Sequence, residues 1–255
     1  WCAAYGWDSV SWLDRTVPDE GARTGNHALA GEPPESLTVR EGPLRFRLEP
    51  RHPRNVGLFL DTRVLRQSLA RGHGLVPGAR MLNLFAYTGS LGIAALHGGA
   101  GEAVQVDVSA RYLDWGRANL RRNGLPEDGC RFVKMDSERY LDWAAKKGLR
   151  FGCIVLDPPV FARFDGKVFR FETDYLRLAA KCLALLEPDG VLHAVTNYAG
   201  IRPAAFRDAL ARAAREADIR VAPPQRIPLP PDYDLPEDAE DLPEGNAMLF
   251  TLAKG

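Results

Sequence analysis

The stretch from Met81 to Gly101 constrains the fold most, because it predicts a strand, a tight turn and a small-residue helix in succession. The apolar run from Met81 to Phe85 is short enough for a buried strand, and the turn after it contains Gly89. Such a unit opens a doubly wound α/β sheet, in which ligands bind at the carboxyl ends of the strands. Phe85 and Tyr87 stand where a dinucleotide fingerprint, G-x-G-x-x-G, would have glycines. The stretch therefore predicts an α/β domain without that fingerprint.

Strand and helix patterns alternate through most of the remaining chain, which predicts right-handed crossovers and a mainly parallel sheet. The end of the chain differs, because an acidic, proline-rich loop joins the last two predicted strands, Ile219–Ile227 and Ala247–Ala253. That loop leaves no room for a crossover helix, so we expect these two strands to be antiparallel neighbours. The predicted fold class is α/β, with a doubly wound, seven-stranded Rossmann-like sheet.

Shifts in composition predict three regions. Residues 1–35 are rich in Trp, Gly and Pro and form an N-terminal arm, and residues 36–78 carry a β-hairpin and a helix as an extension. Residues 79–255 form the α/β domain. At 255 residues and 45% hydrophobic content, the chain can bury one large core with such an appendage.

Charge and cysteine content narrow the function classes. The formal net charge is zero, but residues 36–80 contain nine arginines and only three acids. This basic run is interpreted either as a solvated surface or as a functional basic face. The four cysteines form no C-x-x-C pair and no metal-type spacing, which favours a reducing, cytoplasmic setting and no metal. No apolar segment is long enough to cross a membrane, and no signal-peptide pattern opens the chain.

Three acids end successive predicted strands, namely Asp107, Asp136 and Asp157. An acid after the second strand can accept both hydroxyls of a ribose. One after the third can accept an adenine amino proton, with Met135 or Ser137 beside the ring. Each acid alone also fits ordinary turn chemistry, with Asp136 as a helix cap. Together they favour a nucleoside pocket.

The segment Asp157-Pro158-Pro159 is the most specific motif. Two prolines directly after a buried strand fix the backbone and remove two N–H donors. Phe161 can offer a flat face to a planar group, so the segment can orient a heteroaromatic ring against a methyl donor. The alternative interpretation is a proline-terminated strand followed by a core phenylalanine.

Five motifs together resemble the S-adenosylmethionine-dependent methyltransferases of large-subunit ribosomal RNA. They are GLFLDTR (57–63), NLFAYTG (83–89), VDVS (106–109), NLRRNGL (119–125) and DPPVF (157–161). The resemblance is strongest from Gly57 to Phe161, and it implies a class I methyltransferase sheet. That family usually carries an N-terminal RNA-binding PUA domain or a fusion partner, and we expect neither in this chain.

The resemblance implies S-adenosylmethionine as the methyl donor and assigns residues to it. The donor residues are Phe59, Asp61, Arg63, Asn83, Phe85, Tyr87, Thr88, Gly89, Asp107, Val108, Met135, Asp136, Ser137 and Asp157. The target base would face the catalytic set Asp157, Pro158, Pro159, Phe161 and Asn197.

The pair Thr196-Asn197 bears on which atom receives the methyl group. The cytosine-C5 branch of the family has a Ser-Cys pair there, and its cysteine forms a covalent adduct that activates the ring. A Ser-Asn pair resembles the guanine-N7 branch, where a nitrogen lone pair needs only positioning and desolvation. We therefore expect methylation at a base nitrogen, with Asn197 orienting the base or serving as a plain turn residue.

The expected partner is RNA, most plausibly ribosomal, and arginines are the candidate contacts because they pair with phosphate and stack on bases. The candidates are Arg45, Arg47, Arg51, Arg54, Arg63 and Arg66, and, in the loop after the proline pair, Arg163, Lys167 and Arg170 with Phe164 and Phe169. Arginine-rich composition alone explains them about equally well. The rival functions are a methyltransferase of small molecules or proteins and a non-catalytic donor-binding assembly factor.

Overall fold

The computed structural model describes residues 8–13, 26–53, 55–159, 163–164, 167–168, 170–198, 200–233 and 248–255. Contacts divide the chain into one unit up to Leu58 and a second from Phe59. Residues 59–78, which the sequence assigns to the extension, therefore belong with the sheet. The reason is helix α1 (Arg63–Ala70), whose fully buried Leu65 and Leu69 attach it to this unit.

The first unit contains two antiparallel strand pairs. The predicted hairpin is confirmed as β3 (Leu37–Glu41) and β4 (Leu44–Leu48), with Leu44 and Phe46 buried. A second pair, β1 (Val10–Leu13) and β2 (Asn26–Ala30), lies in the predicted arm. The sequence does not predict that pair, because its residues lack the alternation of a half-buried strand.

The second unit is built on a seven-stranded sheet, as predicted. Its strands are β5 Arg80–Leu84, β6 Glu102–Asp107, β7 Cys130–Lys134, β8 Phe151–Leu156, β11 Leu186–Thr196, β12 Gln225–Ile227 and β13 Met248–Ala253. They lie in the order β12-β13-β11-β8-β5-β6-β7, and β13 runs antiparallel to both β11 and β12. A separate antiparallel pair, β9 (Arg163–Phe164) and β10 (Lys167–Val168), stands in the loop after β8.

Helices connect the parallel strands. They are α2 Ser90–His97, α3 Ala110–Arg122, α4 Ser137–Lys146, α5 Leu176–Leu185 and α6 Pro203–Glu216. A π-helical turn, Phe171–Tyr175, leads into α5, and short 3-10 turns span Glu127–Gly129 and Pro231–Tyr233. The central strands β5 and β8 are buried on both faces, as parallel strands covered by helices must be.

The strand predicted over Ile219–Ile227 is shorter than expected. Only Gln225–Ile227 pairs along β13, while Val221 makes an isolated bridge to Lys254. Pro223 and Pro224 separate the two contacts, and proline cannot donate to a strand ladder.

Candidate active site

The three predicted acids lie at one edge of the sheet. Asp107 ends β6, Asp136 follows β7, and Asp157 follows β8. These strands are parallel, and with β5 they are consecutive in the sheet, so their carboxyl ends meet at the same edge. A backbone hydrogen bond links the ends of β6 and β7, since the amide of Met135 donates to the carbonyl of Asp107 at 3.1 Å.

The turn after β5 holds two non-glycine residues in the left-handed region, Phe85 (φ 56°) and Tyr87 (φ 49°). Such conformations cost about 1–3 kcal/mol each and persist where surrounding contacts impose them. Here the amide of Ala86 donates to Val106 O at 2.9 Å, and that of Tyr87 donates to Asp107 Oδ2, also at 2.9 Å. The turn is thus fastened to β6 at two consecutive residues.

Asp107 holds the turn through a hydrogen bond and also keeps its carboxylate oxygens partly accessible to solvent. Its second oxygen, Oδ1, accepts from the amide of Ser109 at 2.8 Å, and the side chain stays only half-buried. Burial raises its pKa, while N–H groups of Ser109, Tyr87 and Val108 oppose that rise. Each carboxylate oxygen has two lone pairs, so both can still accept a hydroxyl. This pair of acceptor oxygens fits a ribose diol, with the exposed Val108 beside it.

Asn83 lies behind the turn, fully inside the sheet. Its Nδ2 donates to Gln105 Oε1 at 2.8 Å, and Gln105 Nε2 donates to Gly89 O at 3.1 Å. A side chain at Gly92 would meet Gln105, since its Cβ would lie 2.1 Å from Nε2. Asn83 therefore positions the turn through Gln105, which the sequence prediction missed. The available signal was a single glutamine inside the apolar strand β6.

Two further buried groups brace the same turn. Thr88 is fully buried, and its carbonyl accepts from Asn119 Nδ2 at 3.3 Å. Gly116 is close to that carbonyl, because a Cβ on it would lie 3.3 Å from Thr88 O. Helix α3 therefore presses directly on the turn.

Aromatic rings gather around Tyr87. Its ring centroid lies 5.1 Å from that of Phe59, 4.5 Å from Tyr112 and 6.3 Å from Trp115. Phe59 stays 37% exposed, and its neighbour Leu60 is 54% exposed. The segment before α1 thus comes beside the turn after β5. Tyr112 and Trp115 also belong to this aromatic cluster, although they were not predicted from the sequence as site residues.

Asp61 and Arg63, predicted with Phe59, have different surroundings. The carboxylate of Asp61 lies near enough to Asp157 to raise the pKa of that side chain. Arg63 forms an ion pair with Asp232, which lowers the pKa of Asp232. The charge of Arg63 therefore already has an acidic partner in the second unit.

Arg66 does not fit the predicted RNA contact. Its side chain is completely buried, and Nη1 donates to Phe59 O at 2.8 Å and to Thr62 Oγ1 at 2.7 Å. The guanidinium thus holds the segment before α1 in place and has no surface to offer a phosphate.

Asp136 serves as the N-cap of α4. Its Oδ1 accepts from the amide of Arg139 at 3.0 Å, which is the capping role named as its alternative. Capping uses one oxygen, and the side chain remains partly exposed at the sheet edge. Beside it, Met135 is half-buried and Ser137 is buried.

Among the carboxyl groups of the site, that of Asp157 has the largest shift in pKa. Burial, and secondarily the Asp61 carboxylate, raise its pKa to about 7. Pro158 is buried and Pro159 exposed, so the proline pair runs from the core to the surface. Phe161 lies outside the described residues.

The end of β11 adjoins the end of β8. Asn197 is exposed directly after the strand, and the amide of Tyr198 donates to Thr196 Oγ1 at 3.2 Å. The Tyr198 ring stacks on Phe171 at 5.2 Å between centroids. Asn197 is thus exposed to solvent on a loop that the stacked Tyr198 and Phe171 rings support.

Comparison with known proteins decides the family. A family model described as S-adenosylmethionine-dependent methyltransferase matches residues 1–250. The chain belongs to this methyltransferase family. Its site is therefore expected to hold S-adenosylmethionine, and the half-exposed Asp107 carboxylate at the sheet edge is a fitting acceptor for the ribose.

Relatives and solved structures agree with this family. "Ribosomal RNA large subunit methyltransferase I" of Photobacterium profundum is 31% identical over 217 residues, covering 85% of this chain and 54% of that protein. "Ribosomal RNA large subunit methyltransferase K/L" of Saccharophagus degradans is 36% identical over 164 residues, covering 64% and 21%. The crystal structure of SMU.776, "a putative methyltransferase complexed with SAH", superposes with a TM-score of 0.79 at 28% identity, covering 89% of this chain and 58% of that chain.

These coverages state how much of each relative the chain represents. It spans about half the length of the first of these curated relatives. The remaining parts of these relatives lie outside the match.

The thiols of the described cysteines are buried. Cys130, Cys153 and Cys182 lie in the interior, and burial raises the pKa of Cys130 and of Cys153 to about 12 and that of Cys182 further. Cys2 lies outside the described residues. No described group of His, Cys, Asp and Glu side chains could hold a metal ion, and no described helix is long and apolar enough to cross a membrane.

The remaining arginine candidates fall in several places. In the first unit Arg45 is exposed, Arg47 pairs with Glu49 at 3.0 Å, and Arg51 pairs with Glu32 at 3.7 Å. In the second unit Arg170 is exposed, and Arg163, Phe164 and Lys167 are described only as backbone of β9 and β10. Arg54 and Phe169 lie outside the described residues.

Proposed function

We propose that this chain methylates a nitrogen of an RNA base, with ribosomal RNA as the substrate class. One observation carries the proposal. A carboxyl group with a pKa near 7 stands on a proline-stiffened strand end, beside the edge that suits the methyl donor. That edge has no described thiol that could act as a nucleophile.

The donor is S-adenosylmethionine, whose positively charged sulfur supplies a transferable methyl group. The Asp107 carboxylate would accept the ribose hydroxyls, and Asp136 the adenine amino group. The turn from Phe85 to Gly89 would approach the methionine part with its backbone. Phe59 and Asp61 would close the site from the segment before α1.

Asp157 suits the target side because its protonation state can change near neutral pH. In its ionised form it accepts a hydrogen bond from a base N–H and orients that base. The base nitrogen would bond to the methyl carbon while the carbon–sulfur bond breaks, and the electron pair of the broken bond would stay on sulfur. Where the nitrogen carried a proton, the proton passes to Asp157 or to water.

A base nitrogen is favoured over cytosine C5 by the surroundings. Carbon at that position needs a covalent thiolate adduct before it can be methylated. Asn197 occupies the position after β11, and the described cysteines are buried with a raised pKa. A nitrogen lone pair needs correct placement and loss of water only.

RNA as the substrate class draws on two observations. The relatives above carry ribosomal RNA in their names, and Arg45 offers an exposed cation in the first unit. Exposed arginines suit phosphate and stacked bases. A cytoplasmic location stays a prediction.

Incubation with methyl-labelled donor, total RNA, total protein and a small-molecule extract tests the proposal. We expect label in RNA, and we expect Asp157→Ala to lower its incorporation at least a hundredfold. Asp114→Ala, an acid with a 73% exposed side chain on α3, is the matched control and should retain full activity. Label only in protein or extract would contradict RNA as the substrate. Donor binding without any transfer would indicate an assembly factor.

A further inference from the structure

One buried tyrosine hydroxyl joins the two strand ends that carry the target-side residues. Tyr175 Oη donates to Val195 O at 2.9 Å and to Leu156 O at 3.3 Å. Leu156 is the residue before Asp157, and Val195 lies two residues before Asn197. The hydroxyl therefore spans the ends of β8 and β11 at the level of the site.

The two carbonyl groups lie where the strand ladder ends. Pairing between β8 and β11 runs as far as Leu156 opposite Ala194. Pro158 and Pro159 follow, and neither has an N–H to donate. A buried carbonyl without a donor is costly, and a hydroxyl can share its hydrogen between two acceptors. Tyr175 supplies the donor that the proline segment lacks.

The ring that carries this hydroxyl is held rigidly. Tyr175 has no exposed surface, and its ring lies 4.9 Å from Phe171 and 5.3 Å from Phe206. Phe171 in turn stacks on Tyr198, next to Asn197. The same aromatic cluster thus fixes the hydroxyl and supports the loop after β11.

The hydroxyl also keeps its proton across the working pH range. Burial, and then the nearby Asp157 charge, raise the pKa of Tyr175 well above its ordinary value. It therefore acts as a donor to both carbonyls whether Asp157 is ionised or neutral.

We infer that Tyr175 is a positioning residue for methyl transfer, which sets the spacing between Asp157 and Asn197 through their backbones. The inference rests on the proposed function, because that function assigns these two residues to the target base. In the proposed function Asp107, Asp136 and the turn after β5 hold the donor at the ends of β5, β6 and β7, whereas this link joins β8 to β11. Loss of the hydroxyl should therefore act on turnover and spare the donor.

Tyr175→Phe tests the inference, since it keeps the packed ring and removes only the hydroxyl. Tyr140→Phe is the matched control. Tyr140 is also buried, but the charges nearest it, on Arg131, Glu102 and Arg80, sit at the amino ends of the strands. We expect kcat of Tyr175→Phe to fall about tenfold to a hundredfold, because small misplacements of reacting groups have effects of this size. KM for the donor should stay within about twofold, and Tyr140→Phe should match the wild type.

Amide hydrogen exchange gives a readout that needs no RNA. In Tyr175→Phe, exchange should quicken in the peptide 192–198, with little change in the peptide 81–90. If the wild type transfers no methyl to RNA, the proposed function fails, while this exchange result still tests the link. Wild-type kcat together with wild-type exchange in folded Tyr175→Phe would overturn the inference.

Discussion

Asp107→Asn separates the two roles of the residue that fastens the turn after β5. The wild-type carboxylate accepts from the amide of Tyr87 with one oxygen and from that of Ser109 with the other, at 2.9 and 2.8 Å. Asparagine has a single acceptor oxygen, so one of these amides must face an NH₂ group. The change in shape is minimal, which leaves hydrogen bonding as the variable.

The expected magnitudes follow from these contacts. An unsatisfied, partly buried N–H costs about 1–3 kcal/mol, which lowers the melting temperature of a domain this size by about 2–12 °C. Because burial raises the pKa of Asp107, removing its charge relieves some cost, and the lower half of the range is expected. Loss of a charged hydrogen bond to ribose, at about 1.5–3 kcal/mol, weakens donor binding about tenfold to a hundredfold.

Thermal unfolding and calorimetric titration with SAH measure the two effects separately. Asp114→Asn is the control, because it makes the same change at an exposed acid and should alter neither quantity beyond about 0.5 kcal/mol. A lowered melting temperature with unchanged SAH affinity would assign Asp107 to the turn alone. No change in either quantity would refute the reasoning from the strand ends.

Three further predictions concern ionisation and burial. The folded-state pKa of Asp157, about 7, lies above its ordinary 3.8, so the melting temperature should fall as pH rises from about 4 to 7. Asp157→Asn should lack that fall, and equal falls in both proteins would contradict the raised pKa. Asp61→Asn should lower the pKa of Asp157 and move the acid limb of the kcat profile, at saturating donor, to lower pH; an unmoved limb would refute their coupling. Arg66→Met should reduce the free energy of unfolding by about 3 kcal/mol in denaturant titration, yet leave the salt dependence of RNA binding unchanged. Arg45→Ala should instead reduce the slope of log K against log salt concentration by about one. A change in that slope for Arg66→Met would show that Arg66 contacts RNA.

The succession of strands and helices along the chain could be predicted because apolar runs, turns and helical spacing are local features. The antiparallel end of the sheet followed from the absence of a helix between two runs. The three acids at one edge followed from the strand order alone. Local pattern does not, however, show which polar residues pair inside the sheet.

Asn83 and Gln105 illustrate that gap. They lie opposite each other in the register of β5 and β6, and only that register reveals their hydrogen bond. Arg66 illustrates a second gap between sequence and structure. In an arginine-rich segment it is indistinguishable from a surface residue, and only the fold shows that it is buried. The Tyr175 link has the same origin, since residues 156, 175 and 195 meet only after the crossover between β8 and β11 has formed.

Mass analysis of nucleosides from RNA treated with this protein and labelled donor tests the central claim most directly. We expect the label on a base methylated at nitrogen, with no labelled 5-methylcytidine and no thiol-linked RNA adduct. Labelled 5-methylcytidine would contradict the claim, since no described thiol at this sheet edge could produce it.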